Sequence, residues 1–309
     1  MRIERIGATL NPDLHLWGWE VALEQFLAAL AGGLLVLVAW AHLSGRRREL
    51  LPAIRAATSL ALAAVMAGLL LLWLDLGGKW RPFWLYLTVR PTSIMWWGSW
   101  IILGVVVSSS LTAVPSLVKA EGEGATPAPR WLYPLARWAE LRMGALAWMN
   151  LVLGIALGLY PGVLLGTLVA RPAWNSAVFG PLFLASGMVT ATAALLLLVP
   201  GGPWAPLLVR FHISSQGGRL ALLGLYLIGL ATGGAAQQTA AALLVRGPWA
   251  LPFWVVVVGA GILVPVAVAV RQLTARPCAG GLAATAWVLT LAGDLTLRVV
   301  LVYAGQQGL

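Results

Sequence analysis

Apolar residues run along this chain in blocks of about 20, long enough to cross the hydrocarbon core of a bilayer as helices, with polar residues gathered between them. Eight such blocks predict membrane-spanning helices at approximately 19–43, 54–74, 96–118, 143–168, 177–199, 219–244, 250–270 and 282–304. The loops are short and rich in Pro, Gly and Arg. The longest polar stretch, 119–142, divides the chain roughly in half, and no room is left for a soluble domain. The expected fold class is an all-α integral membrane protein with eight transmembrane helices.

Composition agrees with that pattern. Of 309 residues, 60% are hydrophobic and only 10% charged, and the mean hydropathy is +0.88. A net charge of +10 would suggest nucleic acid in a soluble domain, but these cations sit between apolar runs, where they set topology. No nucleic-acid partner is expected. Loops after the first, third, fifth and seventh helices carry twelve Lys and Arg, Arg210 and Arg219 included, against seven on the other face. By the positive-inside rule both termini are expected outside the cytoplasm. Residues 1–16 lack an apolar core with a small-residue cleavage site, so the first helix is expected to serve as its own insertion signal.

Cofactor chemistry is constrained by what the chain can ligate. The single cysteine, Cys278, cannot hold an iron-sulfur cluster by itself. The three histidines, His15, His42 and His212, fall at helix ends or in a loop and offer no facing pair for bis-histidine haem. No metal site, haem or iron-sulfur cluster is therefore expected in this chain.

Ionised groups inside a spanning helix are costly and mark pathways or binding sites. The stretch Leu16–Gly33, LWGWEVALEQFLAALAGG, carries Glu20 and Glu24 four residues apart, hence on one helical face. Its Ala31-Gly32-Gly33 reads as close helix packing. Asp75 closes the second apolar block on the same side of the membrane and could share a proton with Glu20, and Lys79 and Arg81 follow it. Tyr160 precedes Pro161-Gly162, a pair that loosens backbone hydrogen bonding and admits close approach. Arg171, Trp174 and Asn175 make a compact outer turn, and Trp17, Trp19, Trp96 and other tryptophans crowd the same face. Those rings suit a headgroup belt, a planar ligand or a docked partner. Asp294 and Arg298, at i and i+4, form an intramembrane pair that is either structural or part of a proton route. Ser108, Ser109, Ser110 and Thr112, and likewise Gln237 and Gln238, read as interhelical hydrogen-bonding groups.

Four segments occur in one order: LWGWEVALEQFLAALAGG, LDLGGKWRPFW with RPTSIMWWGSW, LYPGVLLGTLVARPAWNSAVFGPLFLASG, and LRVVLVYAGQ. In this order they resemble the NrfD family, the membrane subunits typified by that of polysulfide reductase, over about residues 11–307. The resemblance implies two four-helix bundles and exchange of electrons between membrane quinone (menaquinone or ubiquinone) and a four-cluster ferredoxin-like iron-sulfur subunit. A molybdopterin or hydrogenase catalytic subunit and a prokaryotic cytoplasmic membrane complete the implied setting. It further implies a quinone site at Glu24, where the family has a His, and at Tyr160 of the YPG motif, with Trp19 nearby and Val21 where the family has an Asn.

Physical chemistry assigns compatible roles. A buried carboxylate can accept a proton and a phenol can donate a hydrogen bond to the opposite carbonyl. Glu20, Asp75 and His15 are then placed to pass protons to the outer surface, and Lys79, Arg81, Trp96, Arg171, Trp174 and Asn175 to wall the site or dock the partner. The alternative is an ion-translocating subunit in which Asp294, Arg298 and the hydroxyls of the third helix form a half-channel.

Overall fold

The computed structural model describes residues 17–75, 82–118, 129–274 and 280–307. His15, Lys79, Arg81 and Cys278 lie outside the described residues. Every regular element among the described residues is helical. In chain order they are α1 (Trp19–Leu43), α2 (Leu51–Asp75), α3 (Pro82–Leu87), α4 (Ile94–Val118), α5 (Leu132–Leu141), α6 (Met143–Gly166), α7 (Phe179–Leu198), α8 (Ala205–Ala231), α9 (Ala235–Val245), α10 (Pro252–Thr274) and α11 (Gly280–Gln307). The first half of α10, Pro252–Leu263, is wound as a π-helix. Seven of these helices, α1, α2, α4, α6, α7, α10 and α11, are long and apolar enough to cross a membrane, and the protein is an integral membrane protein. Helices are the natural solution here, because in lipid each backbone N–H and C=O must be satisfied within its own segment.

α1 is the most enclosed of them. It packs on α2, α6, α7 and α11, and its small residues permit the approach: a Cβ on Gly33 would overlap the carbonyl of Gly187 in α7, and one on Gly32 would sit 2.7 Å from the Gly154 oxygen of α6. A side chain on α1 therefore meets protein on most sides, which is why Glu24 and Gln25 are tolerated there. Gly45, at φ +73°, supplies the left-handed turn that sends the chain from α1 back into α2. α1, α2, α4 and α6 contact one another in sequence around a ring, as do α7, α8, α10 and α11, and α7 packs on α1 and α6. Between α4 and α6, Asn150 accepts from the Ser108 hydroxyl and donates to Thr112 Oγ1 at 2.8 Å, an interhelical bridge.

The sixth expected span, 219–244, is different. The helix begins at Ala205, ends at Ala231 and is separated by Thr232–Gly234 from the shorter α9. Its first half reads as a loop in sequence because it carries Arg210, His212, Gln216 and Arg219. His212, Gln216 and Arg219 are fully buried, so their polarity faces the protein interior. Arg219 accordingly is not a loop cation, and His212 is not in a loop. Gln237 and Gln238 do not bridge helices either: Gln237 accepts from the Gly234 N–H at 3.0 Å and Gln238 donates to the Gly233 carbonyl at 3.0 Å, both at the start of α9.

Candidate functional site

The N-terminal end of α1 holds the first group of interest. Glu24 is only 8% exposed and lines a narrow crevice with Ala28, Ala64, Val65, Gly68, Leu69, Leu72, Ile102 and Leu157. It is the single ionisable group in an otherwise apolar lining. Gly68 of α2 faces it, since a Cβ there would lie 3.8 Å from Glu24 Cγ. Nearer the end of the bundle that carries the N-terminus of α1, Tyr160 of α6 lies against Gly98 of α4; a Cβ on Gly98 would overlap two ring carbons and the phenol oxygen. Tyr160 and Gly98 thus sit about one turn from Leu157 and Ile102, the crevice residues of their own helices. The Glu24 carboxylate lies within electrostatic reach of Tyr160 on one side and Arg298 on the other.

Glu20 is half-buried and folds back over Gly18, at the N-terminus of α1, where the helix dipole favours a carboxylate. It also lies within electrostatic reach of Asp75, which is exposed at the end of α2. An aromatic group flanks this region: Trp96 meets Trp97 and Trp100 edge to face at 5.0 and 6.2 Å, and Tyr86 packs on Trp100 while donating to the Ser99 carbonyl at 3.2 Å. The Trp96 indole N–H is buried without a hydrogen-bond partner among the described residues.

A second group fills the interior between α7, α8, α10 and α11. Asp294 accepts from Ser186 and pairs with Arg219 Nη1 at 3.3 Å and with Arg298 Nε at 3.6 Å, all three ionisable groups being fully buried. Arg298 lies over the Phe183 ring at 3.7 Å, a cation–π arrangement. The Gly261 carbonyl, in the π-wound half of α10, accepts from both Gln216 and Arg219 at 3.0 Å. Two turns towards the start of α8, His212 contacts Thr192 Oγ1 at 3.0 Å and the edge of Trp287 at 4.9 Å. Seven buried polar atoms here have no hydrogen-bond partner among the described residues: Arg298 Nε, Nη1 and Nη2, Arg219 Nε, Asp294 Oδ2, Gln216 Oε1 and, on α1, Gln25 Oε1. No three His, Cys, Asp or Glu side chains come together in a metal-binding arrangement among the described residues.

The family profile described as "Polysulphide reductase, NrfD" matches residues 9–309. The chain belongs to the NrfD family. Among its relatives, the C subunit of the polysulfide reductase of Wolinella succinogenes is 28% identical over 97% of both sequences. Protein NrfD of Escherichia coli is 28% identical over 94% of this chain and 95% of its own. The NrfD homolog of Haemophilus influenzae is 26% identical over 96% of each.

In this NrfD protein the structure brings Glu24 and Tyr160 to neighbouring levels of the same helix cluster and puts Glu20 beside Asp75. Val21 is buried on α1, and Trp19, at 57% exposure, points outward. The turn at 171–175 is used internally rather than as a free surface. Trp174 is 1% exposed, donates to the Leu301 carbonyl at 2.7 Å and stacks on Trp17 at 5.1 Å, and Arg171 donates to the Gln306 carbonyl at 2.9 Å. Asn175 alone of that turn's three expected residues is exposed. Asp294 and Arg298 do pair, but the sequence reading missed Arg219, His212, Gln216, Ser186 and Gln25 beside them. For the three on α8 the available signal was a helix-length run, 205–231, whose polar residues recur at three- and four-residue spacing.

Proposed function

We propose that this NrfD protein is the quinone-reactive membrane anchor subunit of a multi-subunit oxidoreductase of the prokaryotic cytoplasmic membrane. The observation that carries the reading is a nearly buried carboxylate, Glu24, in an apolar crevice beside α2, with the Tyr160 phenol about one turn beyond the crevice residues of α6 and within electrostatic reach. An apolar slot with a few convergent polar groups is what a hydrophobic ring ligand requires. Quinol oxidation delivers two electrons and two protons, so it needs a base on one oxygen and a hydrogen-bond donor on the other. Glu24 is the base and Tyr160 the donor; Glu20 and Asp75, two carboxylates within electrostatic reach of each other at the same end, relay protons towards water. The electrons pass to a partner, here a four-cluster ferredoxin-like iron-sulfur subunit attached to a molybdopterin or hydrogenase catalytic subunit. The Wolinella relative, one lettered subunit of a polysulfide reductase, fits such an assembly. The exposed Trp84, Trp97 and Trp100 offer that partner an aromatic surface.

Within this reading α8 is the remaining membrane span, its polar residues shielded by α7, α10 and α11, and the two helix rings are two four-helix bundles with both termini outside the cytoplasm. The test is the paired substitution of Glu24→Gln and Tyr160→Phe in the intact complex. Loss of general acid–base assistance lowers quinol-linked turnover by about 10²-fold or more, while turnover with an artificial donor that bypasses quinone is kept. Retained quinol-linked turnover in both variants would sink the proposal.

A second reading, proton translocation, is favoured by one observation: buried atoms of Gln25, Arg298, Asp294, Arg219 and Gln216 have no hydrogen-bond partner among the described residues, Asp294 is paired with both arginines, and Gln216 lies 3.4 Å from His212. Buried polar groups of this kind are normally satisfied by internal water, and a strip of it would connect the Glu24 level with the opposite half of the membrane. Protons released per electron in sealed vesicles decide it. A plain anchor yields only the two quinol protons, and Asp294→Asn leaves that ratio unchanged.

A further inference from the structure

At the end of the molecule opposite Glu24, the α1–α2 turn, the first turn of α2, the last turns of α4 and the end of α5 frame a half-open crevice of about 400 Å³. It is lined by Arg47, Arg48, Arg55, Pro115, Ser116 and Glu140 together with Leu51. Three guanidinium groups against one carboxylate leave the lining at a net charge of +2. No side chain of the three arginines forms a hydrogen bond or ion pair with a described residue, and Arg48 and Arg55 are exposed. Guanidinium forks held open in this way match phosphate oxygens.

The depth of the crevice identifies the source of the phosphate. Arg55 stands one turn inside α2, and the exposed face continuing from it, Ser59, Ala63, Met66 and Leu70, is apolar after its first residue. That stripe borders lipid. α5 lies alongside as an amphipathic helix: Ala136 packs inward with Leu132 and Leu135 against Val114 and Val118, while Trp131, Trp138 and Leu141 are exposed. Tryptophan and arginine on the outer side of such a helix mark headgroup depth. Topology setting by positive charge accounts for arginines in the turn. It does not account for Arg55 inside the helix or for three cations converging on one crevice.

We propose that this crevice binds the headgroup of an anionic phospholipid, with an acyl chain lying along the exposed stripe of α2. Basic pockets between spanning helices commonly take such headgroups. The proposal is independent of the quinone reading, because it concerns the other end of the protein.

The test uses the full chain, delipidated in detergent and titrated separately with cardiolipin, phosphatidylcholine and inorganic phosphate, with bound molecules counted by native mass spectrometry. Cardiolipin is retained and phosphatidylcholine is not. R48Q combined with R55Q lowers cardiolipin retention by about tenfold or more, R48K with R55K keeps the charge without the fork and preserves only part of it, and R210Q with R271Q, exposed arginines outside the crevice, leaves it unchanged. Equal loss in both Gln pairs would overturn the site in favour of diffuse charge attraction. Competition by millimolar inorganic phosphate would overturn the lipid as its source.

Discussion

The contact between Gly98 and Tyr160 can be tested without any partner subunit. Gly98→Ala lies in the first third of α4, where alanine is favoured over glycine by about 1 kcal/mol on helix propensity alone. If nothing faced the position, the variant would be more stable than the parent. Here the new methyl would overlap three atoms of the Tyr160 ring, Cζ, Cε2 and Oη, and relieving overpacking of this kind costs about 1–3 kcal/mol. The ring cannot shift without leaving its place beside the crevice, so the net change expected is between zero and about 2 kcal/mol of destabilisation. Truncating the ring reveals the difference. In a Tyr160→Ala background the same Gly98→Ala substitution becomes stabilising by up to about 1 kcal/mol, so the cycle closes with a coupling of about 1–3 kcal/mol. The assay is unfolding of the detergent-solubilised chain for the four members of the cycle. A stabilised single Gly98→Ala variant, or a coupling below about 0.5 kcal/mol, would refute the proposed contact and with it the idea that α4 fixes the phenol.

Three further outcomes follow from the interior. Asp294→Asn leaves Arg219 and Arg298 buried without their shared counter-charge and is expected to destabilise the chain by about 3–5 kcal/mol; adding Arg219→Met should recover much of that, as read by thermal unfolding in detergent. Asn150→Leu removes the bridge between Ser108 and Thr112 and should cost about 1 kcal/mol, in keeping with interhelical hydrogen bonds in membranes generally, with no change in quinol-linked turnover. Gly33→Leu, by contrast, places a branched side chain where the Gly187 carbonyl already stands. It should abolish accumulation of the folded chain in membranes, while Val36→Leu, half-buried on the same helix, should be tolerated.

Much of this architecture was written in local pattern. Blocks of some 20 apolar residues mark spans because the bilayer sets their length, and Glu20, Glu24, Asp294 and Arg298 stand out because charge is rare in such blocks. The first half of α8 failed the same criterion for a physical reason. A hydropathy average cannot distinguish a polar residue facing water from one facing another polar residue, and His212, Gln216 and Arg219 are of the second kind. Trp174 misleads similarly, since an aromatic ring in a turn reads as exposed until the helix that covers it, α11, is known. Gly98 carried no signal: nothing in RPTSIMWWGSW shows that a phenol sixty-two residues later needs the space its missing side chain leaves. Which helices meet is a long-range property, and the residues that depend on it are the ones local pattern leaves unread.

The hydrogen bonds between Trp17 and Gln306 have one more consequence. The Trp17 N–H donates to Gln306 Oε1 at 3.1 Å and Gln306 Nε2 donates to the Trp17 carbonyl at 3.0 Å, so the polypeptide closes on itself like a ring with a clasp. A ring can be opened elsewhere. Joining residues 17 and 306 through a short linker and cutting in the exposed turn at Gly45 would yield a circularly permuted chain with the same neighbours. The same clasp means that labels at Trp17 and Gln306 report on one shared patch of the protein.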